Sequence, residues 1–368
     1  MDHSGRPRIR LGIAGGGLIS QVVHLPTLRQ LDDRFEVVGL ADPSPAVRER
    51  VAARHGIART FADHRQLLAQ TAADALLVCA PNGLHAEITL DALDAGLHVL
   101  VEKPLCLTVE DADRIAERRD AAGRVVQVAY MKRFDAAYEA LRDGMLEASP
   151  EVLHVSTLTV DPGLSAQFRP PGFVPATGVP APVAQHVAEA TAAQALSAAG
   201  AETPADVAAY SDACLGALVH DVNAVHGLLC RPPARVIDGF AGPDAAGGTV
   251  EIGGGARWTM AWLLAPRAGR FSETLRLVCD DGVRTLRFGA PYLRNAPAEV
   301  RFERACGAVG ALRTAGGSYA DAYTRELEHF HDCVTAGTPC RTPPEQARAD
   351  VDLLARLFRA HLEARVAA

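Results

Sequence analysis

The sequence has no apolar run long enough to span a bilayer, no Cys-x-x-Cys pair and no stripe of basic residues. Each absence removes a class. A membrane helix needs about 20 consecutive apolar residues, and the N-terminal MDHSGRPRIR lacks the apolar core of a signal peptide. The eight cysteines are scattered, which argues against a zinc site and against a disulfide framework. Cys79 in ALLVCA and Cys279 in LRLVCD stand inside apolar strand patterns, as small hydrophobes do in a reducing cytoplasm. A net charge of −7 without a basic stripe leaves no footprint for nucleic acid. The expectation is a cytoplasmic protein with no metal, membrane or nucleic-acid partner.

What is present is a globular composition, 48% hydrophobic and 22% charged, in 368 residues, enough for two domains. The first part alternates apolar strand patterns at 9–14, 36–40, 75–80, 98–101 and 125–130 with helical stretches, which implies a parallel sheet covered on both faces. Gly96 reads as a helix C-cap and Thr108 as an N-cap followed by Glu110 and Asp111. The second part offers strands at 151–160, 234–240, 256–265, 272–280 and 283–289. Asp281-Gly282 marks a hairpin, so an antiparallel sheet is expected there. A helical pattern from Pro344 to Ala367 closes the chain. The expected division is 1–128 and 129–368. Residues 162–211 form an Ala/Pro-rich insertion with a helix at 183–199, either a surface segment or a lid.

The first strand runs into AGGGLISQ, where Gly15, Gly17 and Ser20 take the three positions of G-x-G-x-x-G. The first glycine permits a tight turn and the second lets backbone approach a pyrophosphate. The third position needs a small side chain for packing. The N–H groups of Leu18 and Ile19 then face phosphate at the positive end of a helix. Asp42 ends the second strand a little over ~20 residues on, where an acid binds the ribose of NAD and repels the 2′-phosphate of NADP. The alternative for Asp42 is a cap on the next helix.

AGGGLIS, VCAPNGLHAEI, AGLHVLVEKPL and AYMKRFDAAY, in that order and spacing, resemble the glucose–fructose oxidoreductase / inositol dehydrogenase family, Gfo/Idh/MocA. The resemblance covers most of 8–145 and resumes at LVHDVNAVHGLL and, more weakly, YTRELEHFHDCVTAG. It implies an α/β protein: an N-terminal doubly wound Rossmann domain, then a C-terminal α+β domain on a large, mainly antiparallel open sheet that often forms dimers or tetramers. It implies NAD, with NADP less favoured, and a sugar, cyclitol or related polyol as substrate. Lys103 is expected at the reacting hydroxyl, where a cation stabilises a developing alkoxide. Glu102 is expected to shape the cofactor side, and Pro104 to fix the turn behind the lysine. Pro81 and Asn82 are expected beside the cofactor. His85 either joins them or bonds locally at a helix start.

The resemblance places His220 as general base, with Gly216 (i−4) and Asn223 (i+3) on its face by helical spacing. Inositol dehydrogenases usually carry aspartate at both places, so myo-inositol itself is disfavoured. Without a carboxylate beside it, His220 is expected near a pKa of about 6.5, or lower if buried. Met131 and Lys132 are expected to face the substrate. The function expected is hydride transfer between a secondary alcohol and nicotinamide. The alternatives are a redox-neutral enzyme with recycled NAD, such as an epimerase, lyase or glycosidase, and a silent sugar or dinucleotide sensor.

Overall fold

The computed structural model describes residues 5–163, 171–229, 235–293, 296–306, 309–316, 318 and 321–367. It divides into two compact units: Met1–Tyr130 with Ser165–Gln194 and Tyr323–Arg348, and Met131–Leu164 with Ala195–Ala322 and Ala349–Ala368. A single cut near residue 128 was expected. The chain instead returns to the first unit twice, because Val174 from the insertion and Leu327 and Phe330 from a late helix join the core around the first two strands. Part of the expected insertion, 164–170, lies outside the described residues.

The first unit is a six-stranded parallel sheet in the order β3-β2-β1-β4-β5-β6. Its strands are β1 Ile9–Ala14, β2 Phe35–Ala41, β3 Thr60–Phe61, β4 Ala75–Val78, β5 His98–Glu102 and β6 Val126–Ala129. Every residue of β4 and β6 is buried, as a sheet covered on both faces requires. Helices α1 Leu25–Gln30, α2 Pro45–His55, α3 His64–Gln70, α4 His85–Asp94 and α5 Val109–Ala122 connect the strands. Their ends follow from sequence. Ser44 caps α2, with Pro45 starting it and Gly56 ending it in the left-handed conformation. Thr108 caps α5, and Gly96 follows α4 at φ +78°. The strand order reverses between β1 and β4, the switch point where such sheets open a crevice at their carboxyl edge.

The second unit holds an eight-stranded sheet in the order β14-β13-β12-β11-β7-β10-β9-β8. The strands are β7 Val152–Asp161, β8 Arg235–Gly242, β9 Ala245–Glu251, β10 Arg257–Leu264, β11 Ser272–Cys279, β12 Gly282–Phe288, β13 Glu299–Cys306 and β14 Val309–Gly316. All neighbours run antiparallel except β7 and β10, and Cys279 faces Gly282 in the expected hairpin. The α/β class with a mainly antiparallel second sheet is therefore as expected. Helix α6 Ala136–Ala148 packs near β12–β14, and α9 Val219–Leu229 packs near α6. The insertion contributes α7 Ala181–Ala199 and α8 Pro204–Ala208; α10 Ala322–Ala336 and α11 Pro344–Ala367 close the chain.

Candidate functional site

The glycine turn follows β1 directly. Gly15 sits at φ +102°, and a Cβ there would collide with the Cys79 carbonyl at the end of β4. A Cβ on Gly16 would meet Val47, whereas one on Gly17 would meet no atom within 4 Å. Backbone crowding thus demands the first glycine, and space above the third glycine of the run stays open. Ser20 closes the turn by donating from Oγ to the Gly15 carbonyl at 2.6 Å. Leu18 and Ile19 lead into one turn of π-helix, Ser20–His24, before α1.

Asp42 stands beyond β2, 7% exposed. Its Oδ2 accepts from the Gly16 N–H at 2.8 Å and its Oδ1 from the Ser44 N–H at 2.8 Å. Burial raises its pKa, against those two donors and Arg48. The helix cap is Ser44, whose Oγ accepts from the Val47 N–H, so Asp42 is not the cap.

Glu102 ends β5, buried, and its partner was not legible in sequence. Its Oε1 lies 2.7 Å from Nε2 of His24, which is fully buried. Its Oε2 accepts the Lys103 N–H at 3.1 Å. Burial alone would raise the Glu102 pKa, but the His24 bond and charge hold it below the ordinary carboxylate value. Burial likewise opposes charge on His24, and Cys79 and Glu102 outweigh it, so its pKa stands well above 6.5. Lys103 is half-buried, and the Lys103–Pro104 peptide is cis.

Pro81 is exposed, and Asn82 opens a short 3-10 turn, Asn82–Leu84, past β4. His85 is buried, with Nδ1 2.6 Å from the Pro104 carbonyl and Nε2 2.8 Å from the Ala80 carbonyl. That is the local-bonding alternative: the ring is wedged between the end of β4 and the Lys103–Pro104 turn, and its one N–H donates to one of the two carbonyls. Burial lowers its pKa, more than the two carbonyls raise it.

In the second unit, Met131 and Lys132 lie in a buried 3-10 turn, Met131–Phe134. Lys132 was expected toward substrate. It is instead ion-paired with buried Glu273 of β11 and lies over the Phe288 ring at 5.1 Å. Asp221 joins this cluster, accepting from Thr159 Oγ1 at 2.9 Å. Burial and then the nearby Glu273 charge push its pKa well above the carboxylate range.

His220 is half-buried in the first turn of α9. The preceding ten residues, Ala209–Leu218, wind as π-helix, a rare form that is frequent at functional sites. Because that winding takes more residues per turn, ordinary α-helical spacing does not carry from Gly216 to His220. Asn223 was expected to face substrate. It is 1% exposed and donates from Nδ2 to Oδ2 of Asp350 at 2.8 Å. The other Asp350 oxygen lies 2.6 Å from Nδ1 of His226. One buried carboxylate of α11 thus fixes two residues of α9. Its signal was an acid on an apolar helical stripe with Ala347, Val351 and Leu354, which demands a partner when buried. Gly227 leaves room for Arg133 and the Tyr138 hydroxyl, which a Cβ there would displace.

Among the described residues, His64, Glu87 and Asp91 bring three possible metal-binding atoms within 4.8 Å. Arg65 pairs with both carboxylates, at 2.6 and 3.0 Å, which makes the group an ion-pair network. No helix among the described residues is long and apolar enough to cross a membrane.

Residues 9–130 match the family model described as "Oxidoreductase family, NAD-binding Rossmann fold". An inositol 2-dehydrogenase of Paracoccus denitrificans (strain Pd 1222) is 34% identical over 165 residues, 44% of this chain and 49% of that protein. A D-glucoside 3-dehydrogenase of Escherichia coli (strain K12) is 30% identical over 149 residues, 40% of this chain and 42% of that protein. The matched stretch spans about half the length of these curated relatives or less. Among solved structures, GenD2 from gentamicin A biosynthesis, in complex with NAD, superposes with a TM-score of 0.71 at 21% identity, covering 97% of this chain and 95% of that one. The fold is therefore shared over nearly the whole chain.

Proposed function

Because residues 9–130 belong to the Gfo/Idh/MocA oxidoreductase family, we propose that this chain is an NAD-dependent dehydrogenase acting on a secondary alcohol of a sugar, a cyclitol or a derivative of one. One observation carries the reading: a single unit joins an open glycine turn faced by Asp42 to a strand ending in Glu102-Lys103-Pro104. The residues present fit the dinucleotide. Space lies above Gly17, and the Asp42 carboxylate is already held against the turn.

Bound there, NAD supplies the acceptor for a hydride leaving the substrate carbon. The chain's own groups do the rest. The N–H groups of Leu18 and Ile19 receive the pyrophosphate at the positive helix end. Asp42 takes the ribose hydroxyls and repels a 2′-phosphate, which favours NAD over NADP. Pro81 and Asn82 border the cofactor past β4. Lys103 stabilises the developing alkoxide with its charge, and His220 accepts the hydroxyl proton as general base. Glu102 acts behind the lysine: its carboxylate is engaged by His24 and by the Lys103 N–H, which fixes the start of the turn. His85 braces the other side through the Pro104 carbonyl. Relatives named for inositol and glucoside oxidation support a polyhydroxylated substrate. The internally bonded Asn223, which stands where inositol dehydrogenases usually carry an aspartate, argues against myo-inositol itself. We also infer a homodimer or homotetramer built on the broad second sheet, to be read by light scattering.

The test is a screen of sugars, cyclitols and sugar nucleotides, following nicotinamide absorbance with NAD and NADP in parallel. Substrate-dependent reduction of NAD that disappears in Lys103→Ala and falls in His220→Asn supports the reading. Dinucleotide binding with turnover but no net reduction points to the redox-neutral alternative, and failure to bind any dinucleotide refutes both.

A further inference from the structure

The insertion was expected to be either a surface segment or a lid. Its described residues 171–194 belong to the first unit, and they are fastened to the residues that build the glycine turn and present Asp42. Gln21, one residue past Ser20, grips the backbone of Val174 from both sides. Its Oε1 accepts the Val174 N–H at 2.9 Å, and its Nε2 donates to the Val174 carbonyl at 2.9 Å. The same Nε2 donates to the carbonyl of Gly16 at 2.7 Å. One buried side chain therefore joins the glycine turn to the insertion.

Ser44 repeats the arrangement three residues along. Its Oγ donates to the Thr177 carbonyl at 2.6 Å and accepts the Thr177 N–H at 3.0 Å, while its own N–H holds Asp42. The Val174 side chain is 1% exposed and lies in the core with Val47 and Val51 of α2. Gly172 and Gly178 bound this stretch at φ +82° and +71°, conformations glycine adopts without strain. Beyond it, α7 rests on the turn after β4. A Cβ on Gly83 would collide with Thr191, and Gln194 Nε2 donates to the Gly83 carbonyl at 2.8 Å. The insertion thus runs from the edge of β2 to the edge of β4, the two strand ends between which the proposed dinucleotide lies. Much of α7 is exposed, so its hold on this edge comes from a few polar anchors.

We propose that residues 171–180 are a strap forming part of the dinucleotide site, fastened by Gln21 and Ser44, and that the strap must open for the cofactor to exchange. This rests on the NAD reading above and adds a kinetic property to it: the dinucleotide leaves slowly. Linkage makes the effect mutual, since a ligand that fixes Asp42 and Gly16 also fixes the strap.

The experiment uses the full chain and the variant Val174→Asp, which places a charge in the strap's buried seat and leaves Gln21 and Ser44 intact. Val174→Ala serves as a milder variant should the first not fold. NADH release is followed by fluorescence with excess NAD as chase, and hydrogen exchange of the Val174 and Thr177 amides is measured with and without NAD. We expect release at least about tenfold faster in the variant, because the buried valine side chain no longer holds the strap on its seat. We expect NAD to slow exchange at both amides in the wild type. Binding with equal release rates in wild type and variant, or strap amides indifferent to NAD, overturns the strap while leaving the NAD reading standing. A wild type that binds no dinucleotide overturns both.

Discussion

Replacing His24 with alanine tests the part of the site farthest from anything its sequence neighbours announce. His24 and Glu102 form a buried pair at 2.7 Å. Removing one partner of such a pair costs about 3–5 kcal/mol, because the other charge is left in a poor dielectric or must take up a proton. The pH dependence has a defined sign. The folded pKa of His24 lies well above its ordinary 6.5, so its contribution is complete below that value and is lost as pH rises through the folded pKa. The folded pKa of Glu102 lies below its ordinary 4.5, so its contribution is present above that value and is lost as pH falls through the folded pKa. The contribution of His24, raised by Cys79 and then by Glu102, and that of Glu102 are therefore both at full strength between about pH 4.5 and 6.5. The wild-type advantage over His24→Ala shrinks on either side of this window. Native-state hydrogen exchange at the amides of β5 reads the opening free energy of this unit directly. A double-mutant cycle with Glu102→Gln isolates the coupling, because the neutral amide no longer needs a cation. A loss below about 1 kcal/mol, or a loss that is flat from pH 4 to 9, refutes the ion pair.

Gly15→Ala forces a Cβ against the Cys79 carbonyl at a left-handed φ. The expected outcome is a loss of more than about 1 kcal/mol in stability, with NADH binding abolished, read by thermal unfolding and fluorescence titration. Asp42→Ser removes the carboxylate to which the proposed function assigns repulsion of a 2′-phosphate. The NADP to NAD affinity ratio should rise by about tenfold or more, and parallel titrations with both dinucleotides check it. Asp350→Ala leaves Asn223 and His226 without their shared acceptor. The expected cost is about 2–4 kcal/mol. Urea unfolding reports it through the fluorescence of Trp258, which meets the His226 ring edge-on at 6.0 Å.

The elements that read cleanly were those with one unbroken period. Strand β1 and the closing helix α11 fell where the pattern put them, because an apolar run after a charged tail and a long amphipathic stripe admit few alternatives. Strand β9 was missed because AAGGTVE carries Gly247 and Gly248, and paired glycines read as a turn. In the sheet they are required by closeness, since a Cβ on either would collide with the backbone of a neighbouring strand. Strands β13 and β14 were missed for a different reason: EVRFERAC and VGALRTAG mix charged and small residues at the sheet's edge, where little burial enforces alternation. At the site, the glycine turn, Asp42 and the Glu102-Lys103-Pro104 segment are contiguous words. The partners that orient them are not. Glu102 meets His24 from 78 residues away, and Lys132 meets Glu273 from 141. Nothing local encodes such pairs, so Lys132 read as a substrate group until its partner was placed.

Asp42 arrives at its task with its geometry already decided. Each carboxylate oxygen is held by one N–H, and each retains a further lone pair. On the proposed reading, a ribose diol would meet a carboxylate whose side-chain rotation is already arrested. Little of the recognition energy would then be lost in ordering the receptor.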